Sequence, residues 1–255
     1  PCTNIIINSK IKEVIFSTED VDVRTKFKCI KIFKKKNIKV KYGLLKNDAQ
    51  RIYKSYLYNK KNKLPFVTGK LAVSNDNCIN SKKIKKITNA YSNSITHLLR
   101  YWNDSILISN KTLNNDNPKL NCRISGLSNF SPKRFILDKN LSIKKSSFIF
   151  QTSNKNNTTI FYQNGSNKKI KLLFNKGIKL IKLKTKKNNF FDLKLILNEI
   201  YTLGCRNLLV EGGKSLTGSF LKDKLFNQFY LFKTSNYLNK NAKLDVSAEL
   251  KQLSF

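Results

Sequence analysis

The chain has 255 residues, 40% of them hydrophobic, enough for one large packed domain or two small ones. Nine glycines and four prolines exclude a collagen-like or low-complexity chain, and no apolar window reaches the length of a membrane-spanning helix. Fifty basic residues against 15 acidic ones give a formal net charge of +35, which by itself fits a polyanion partner. The lysines are spread evenly among asparagine and isoleucine, as AT-rich compositional drift leaves them. A nucleic-acid stripe would gather them and interleave them with aromatic residues.

Five cysteines, at 2, 29, 78, 122 and 205, form no C-x-x-C pair and suit neither a disulfide framework nor a closed zinc knuckle. Scattered thiols of this kind point to a reducing, cytoplasmic compartment. Pro1-Cys2-Thr3 carries no initiator Met and no signal-peptide pattern, so the chain reads as cut from a longer protein.

In chain order, residues 4–9 form a short helical turn and 13–17 (EVIFS) a strand. Residues 25–36 read as a basic helix, 38–43 alternate as a strand, and 47–58 repeat at helical spacing with Asp48 in the first turn. The charged run 59–63 before Pro65 reads as a linker, dividing the chain into 1–62 and 63–255. A second α/β pattern follows. Residues 66–73 and 105–109 are apolar strands flanking a helix at 89–102, with Ile95, Leu98, Leu99 and Trp102 on one side. Residues 110–121 read as a polar loop, and 134–138, 147–151, 158–163 and 179–185 as strands. The helix 191–203 ends at Gly204, followed by a strand at 207–211, a helix at 215–221 and an aromatic strand at 226–232. Strands alternating with helices predict a mainly parallel sheet covered on both faces.

Two stretches sit where such a sheet binds ligands, at the carboxyl ends of its strands. The first is LLVEGGKSLTGSF, from Leu208, in which a buried strand ends at Glu211, two glycines follow and a helix starts. Glycine there lets a phosphate approach the backbone and the free N–H groups of a helix start; the same pair also suits a tight turn needing positive φ. The second is T-x-x-x-D-x-P-x-L-x-x-R, from Thr112 to Arg123, after the strand SILIS. Its Arg and Asp fit phosphate and ribose recognition, and equally a solvated salt-bridged loop.

Four segments in order make the sequence resemble the bifunctional riboflavin-biosynthesis deaminase/reductase family over nearly its whole length. They are Pro65-Phe66-Val67-Thr68 with Lys70-Leu71-Ala72 and Ser74-x-Asp76, then Ile87-Thr88 with Leu99-Arg100, then the Thr112–Arg123 stretch, then Glu211-Gly212-Gly213. Pro1-Cys2-Thr3-Asn4 is similar to the end of that family's deaminase zinc motif. The resemblance implies an α/β, dihydrofolate-reductase-like domain preceded by the back half of a cytidine-deaminase-like domain. It implies NADPH reduction of a phosphorylated ribosylamino-pyrimidine to the ribitylamino product, a homo-oligomer, and further strands beyond Phe255. By position it assigns Ala72, Thr112, Asp116, Gly213, Lys214, Ser215, Leu216, Thr217, Gly218 and Ser219 to the nicotinamide cofactor, and Arg100, Leu120, Arg123 and Glu211 to the substrate. Lys70, near the same strand end, is the candidate proton donor to the ribose ring oxygen.

Cys2 matches the last zinc cysteine of the resembled family, with the other ligands absent, so zinc and deamination belong to a longer chain. The lone histidine, His97, reads as structural, and residues 3–60 are expected to expose apolar surface. Three positions depart from the family pattern: Ile84 where a Ser is usual, Lys86 where a Trp is usual, and Asn77 in place of the Gly of an Asp-Gly turn. The alternatives are a reductase of another pyrimidine or pterin, an inactive scaffold, and a basic nucleic-acid-binding protein.

Overall fold

The computed structural model describes residues 2–22, 24–25, 27–79, 87–187, 189–242 and 244–253. Ile84 and Lys86 lie outside the described residues. The chain divides into two compact units, Pro1–Leu64 and Pro65–Phe255.

The first unit holds α1 (Cys2–Asn8), β1 (Glu13–Phe16), α2 (Lys28–Lys35), β2 (Lys39–Tyr42), α3 (Lys46–Ile52) and α4 (Lys54–Asn62). β1 and β2 pair in parallel, with Glu13 opposite Lys39. α2 buries Ile30 and Phe33, three residues apart on one helical face, beside the buried Ile38 that precedes β2. Glu13 makes ion pairs with Lys41 at 3.0 Å and Lys39 at 3.8 Å. Two expectations change here. The single helix at 47–58 is two helices broken at Tyr53, and the linker 59–63 is helical as far as Asn62. The charged run stays in the helix because Asn59 is buried and donates its side-chain amide to the Leu64 carbonyl, which anchors the last turn. Ile5, Leu44, Leu45 and Ile52 are exposed.

The second unit contains β3 (Phe66–Val73), α5 (Ala90–Trp102), β4 (Ser105–Ser109), α6 (Asn110–Asp116), β5 (Lys133–Leu137), α7 (Phe148–Gln151), β6 (Thr158–Tyr162), α8 (Asn167–Asn175), β7 (Lys179–Lys182), α9 (Leu193–Thr202), β8 (Asn207–Val210), α10 (Lys214–Lys222), β9 (Gln228–Lys233) and α11 (Ser247–Leu250). Its strands form one sheet in the order β7-β6-β5-β4-β8-β3-β9, and every pairing is parallel. β6 is buried at all five positions, as a strand covered on both faces must be. Ile106, Ile108, Ile136, Ile160 and Leu209 from the strands pack with Leu99, Leu113, Ile149 and Leu173 from the helices.

Helix starts follow side-chain capping. Asn89, Ser109, Ser147, Ser166 and Asp192 each accept from a backbone N–H two or three residues on. Gly204, at φ 88°, follows α9 in the left-handed conformation expected of it. Three expectations fail in this unit, and two helices, α8 and α11, were not foreseen. Residues 147–151 form a helix instead of a strand, because the Ser147 Oγ accepts from the Phe150 N–H and opens a helical turn. The polar loop 110–121 begins with helix α6, capped by Ser109. Trp102 is exposed, because the buried face of α5 runs through Thr96, Leu99 and Arg100 and is rotated toward a polar contact.

Candidate functional site

The sheet has a switch point at β4 and β8. These strands are neighbours, but β4 leads to β5 on one side while β8 leads past β3 to β9 on the other. Connections that diverge leave a crevice beyond the carboxyl ends of the strands. A cavity of about 900 Å³ lies there. Its walls include Lys70 and Ala72 of β3, Thr112 and Asp116 of α6, and Glu211 and Gly213 after β8.

Lys70 and Ala72 are two residues apart on a strand and so share one face. The register sets Gly69 opposite Val210, which brings Lys70 beside Glu211 one step further on. Burial pushes the Lys70 amine below its ordinary pKa, and the Glu211 carboxylate offsets part of that shift. Thr112 and Asp116 are four residues apart on α6, so the helix that replaces the expected loop aligns both toward the cavity.

The Gly212-Gly213 turn does not use positive φ. Gly212 is needed for close approach: a Cβ there would lie 2.9 Å from Thr217 Oγ1 and 3.2 Å from the Thr217 backbone nitrogen. At Gly213 the nearest atom to a Cβ would be Thr112 Oγ1 at 3.9 Å, so the missing side chain keeps open a notch between α6 and the start of α10. Gly213 caps α10 with no side-chain hydrogen bond, and the first turn of that helix lines the cavity.

Glu211 is held by Arg100. The Arg100 Nε and Nη2 donate to the two carboxylate oxygens at 2.7 and 2.9 Å, and Nη1 donates to the Asn121 carbonyl at 3.3 Å. Burial alone would raise the Glu211 pKa, but Arg100, with Lys70 further off, brings it below the ordinary value. The pair is therefore ionised, and these bonds use three of the five N–H donors of Arg100. Arg123 is exposed and donates to Asn121 Oδ1 at 3.0 Å.

Among the expected site residues, Lys70, Ala72, Thr112, Asp116, Glu211, Gly213, Lys214, Ser215, Leu216 and Ser219 line the cavity. Arg100, Leu120, Arg123, Thr217 and Gly218 do not. Seven consecutive residues of a helix start cannot all face one side: Thr217 is buried under Gly212, and Gly218 faces Glu249. Leu120 is a core residue, 2% exposed, at a left-handed φ of 56°. Cys2 is exposed on α1. Lys139, Lys186, Phe190 and Glu249 also line the cavity and were not foreseen. Lys139 was recoverable, because it follows β5 at the same sheet edge; the others reach the site only through tertiary packing.

Asn77 sits at φ 55° in a turn closed by the Ser74 N–H on the Cys78 carbonyl at 2.9 Å. Asparagine tolerates that region better than other non-glycine residues, so the departure from Asp-Gly is accommodated locally. The neighbouring Asp76 accepts from Ser74 Oγ and from the Leu238 and Asn239 backbone N–H groups, which lowers its pKa to about 2.

Fold and cavity define a class first: a parallel α/β domain with a charged cavity at the switch point of its sheet. The chain belongs to the RibD C-terminal domain family, which matches residues 65–238. It is 32% identical over 235 residues to the riboflavin biosynthesis protein RibD of Bacillus amyloliquefaciens, covering 91% of this chain and 62% of that protein. Solved structures share the fold, two of them over nearly the whole chain. RibD of Acinetobacter baumannii has a TM-score of 0.81 at 20% identity over 96% of this chain and 67% of its own. A diaminohydroxyphosphoribosylaminopyrimidine deaminase/5-amino-6-(5-phosphoribosylamino)uracil reductase of Thermotoga maritima has a TM-score of 0.79 at 23% identity over 96% and 66%. The family and the fold class expected from the sequence are thus the ones found.

Proposed function

We propose that this chain is a reductase of riboflavin biosynthesis, reducing 5-amino-6-(5-phosphoribosylamino)uracil to its ribitylamino product with NADPH. The observation that carries the reading is the cavity at the β4/β8 switch point, which in a member of this family combines an open glycine notch, a helix start and an ionised carboxylate beside a buried amine. Its volume of about 900 Å³ is within the range of about 300–1,000 Å³ usual for small-molecule sites.

The notch at Gly213 and the side-chain-free start of α10 fit a phosphorylated cofactor. Gly213, Lys214, Ser215, Leu216 and Ser219 would hold it from one side, and Ala72, Thr112 and Asp116 from the other. When bound, NADPH supplies the hydride for the ribosyl carbon. The chain's own residues do the rest. The Glu211 carboxylate accepts from donor groups of the pyrimidine or sugar, and Arg123 takes the substrate phosphate. As the ribose opens, the departing ring oxygen must collect one proton, and Lys70 is placed to donate it. Burial makes that proton easier to release than on an exposed lysine.

Zinc does not fit. Cys2 is exposed, and among the described residues no three His, Cys, Asp or Glu side chains converge on a metal position. A lone thiol supplies no catalytic zinc site, so the residues present support no hydrolytic step. Among the described residues no helix is long and apolar enough to cross a membrane.

The test is NADPH absorbance with the phosphorylated ribosylamino-uracil at moderate salt. Consumption is expected only with substrate present, and Arg123→Ala is expected to raise KM about 10- to 100-fold. Cofactor binding without consumption would replace the substrate with another pyrimidine or a pterin. Failure to bind NADPH would overturn the reading.

A further inference from the structure

Helix α5 reaches the site at two positions one turn apart, His97 and Arg100, and neither lines the cavity. Arg100 is 8% exposed and spends its guanidinium on the Glu211 carboxylate and the Asn121 carbonyl. His97 is half-buried, and its Nδ1 accepts from the backbone N–H of Arg123 at 3.3 Å. The segment they hold is otherwise pinned by its own burial. Leu120 and Cys122 are 2% and 0% exposed, and the Cys122 N–H donates to Ser131 Oγ at 3.1 Å. Leu120 also keeps a left-handed backbone that a branched side chain rarely adopts. Of this segment, Arg123 is the side chain left exposed to meet an anion, and its backbone is fixed by the imidazole.

We propose that His97 is a positioning residue that sets Arg123. The inference rests on the reductase reading for its kinetic arms but not for its structural one. The imidazole performs this task only when neutral, because a protonated Nδ1 is a donor and can no longer accept from the Arg123 N–H. The charged groups around it are Arg100 on its own helix, Arg123 on the held segment and Glu211 at the end of β8. Burial, then the two arginines, push its pKa below 6.5, against smaller opposing pulls from a backbone hydrogen bond with Asn121 and then from Glu211, so the neutral form dominates near pH 7. Linkage gives the sign: substrate affinity is full above the imidazole's titration and falls as pH drops through it.

The chain has one histidine, so a ¹⁵N spectrum of the full chain reports this imidazole without ambiguity. The expected spectrum shows the Nε2–H tautomer at pH 7, titrating below 6.5. An Nδ1–H tautomer overturns the proposal whether or not the chain turns over NADPH, so this arm separates its failure from failure of the reductase reading. In steady-state kinetics, His97→Leu is expected to raise KM for the phosphorylated substrate about tenfold while kcat changes less than about twofold. His97→Asn presents Oδ1 where Nδ1 was and is expected to restore most of the affinity. Its KM is expected to lose the enzyme's share of the acid dependence, leaving the substrate phosphate's own titration, which is common to both proteins. A wild-type KM in His97→Leu, or an unchanged acid dependence in His97→Asn, overturns the proposal.

Discussion

Gly212 and Gly213 are adjacent, yet the structure gives them opposite tasks. A methyl at Gly212 meets the Thr217 backbone and Oγ1, neither of which can yield without moving α10. Gly212→Ala is expected to cost about 1–3 kcal/mol in a denaturant titration. At Gly213 a methyl has room, and it fills the notch instead. Gly213→Ala is expected to leave the unfolding midpoint where it was and to weaken NADPH binding, read by fluorescence titration. Equal destabilisation of both variants would remove the distinction. Lys70 belongs to the same scale. Its amine must be protonated to donate, and burial lowers its pKa. The value of kcat is therefore expected to fall with rising pH earlier than an exposed lysine would allow, and Lys70→Met is expected to abolish that limb of the profile.

At the scale of elements, α6 turns a spaced sequence pattern into a surface. Thr112 and Asp116 face the cavity together only because the segment is helical, and Ser109 makes it so by accepting from the Thr112 N–H at 3.3 Å. Ser109→Ala is expected to destabilise the domain by about 1 kcal/mol and to weaken cofactor binding more than substrate binding. Without α6 the T-x-x-x-D spacing has no geometric meaning. The same capping chemistry at Ser147 explains why FIFQ, with the composition of a strand, is helix α7.

Across the whole molecule, two long-range effects follow from charge. The net charge of +35 draws anionic ligands toward any cavity, and this attraction is screened by salt. Raising ionic strength from about 0.05 to about 0.5 M is expected to lower kcat/KM and leave kcat nearly unchanged. The second effect is the tie between the β3 turn and residues 238–239 through Asp76. Its carboxyl is lowered from 3.8 to about 2 in the folded protein. The stability it contributes is present above pH 3.8 and is lost as pH falls through about 2. Thermal melts between pH 2 and pH 5 are expected to show that loss in the wild type and a flatter profile in Asp76→Asn.

The sequence by itself determined the parallel α/β class, the strands that flank the site and the strand–glycine–helix turn at Glu211. Hydrophobic period and turn chemistry are local, and each is written within a few residues. It also carried the family, through motifs kept in order along the chain. It did not show which residues of a motif face inward. Thr217 turned into the core and Leu120 under its own loop because a helix start and a strained turn each have one inner face. Nor could it show that Arg100 is paired with Glu211, 111 residues away, since an ion pair exists only once α5 and β8 are packed together. The arrival of Lys186, Phe190 and Glu249 at the cavity was likewise decided by tertiary structure alone, because these residues come from segments far apart in the chain that share no local signal.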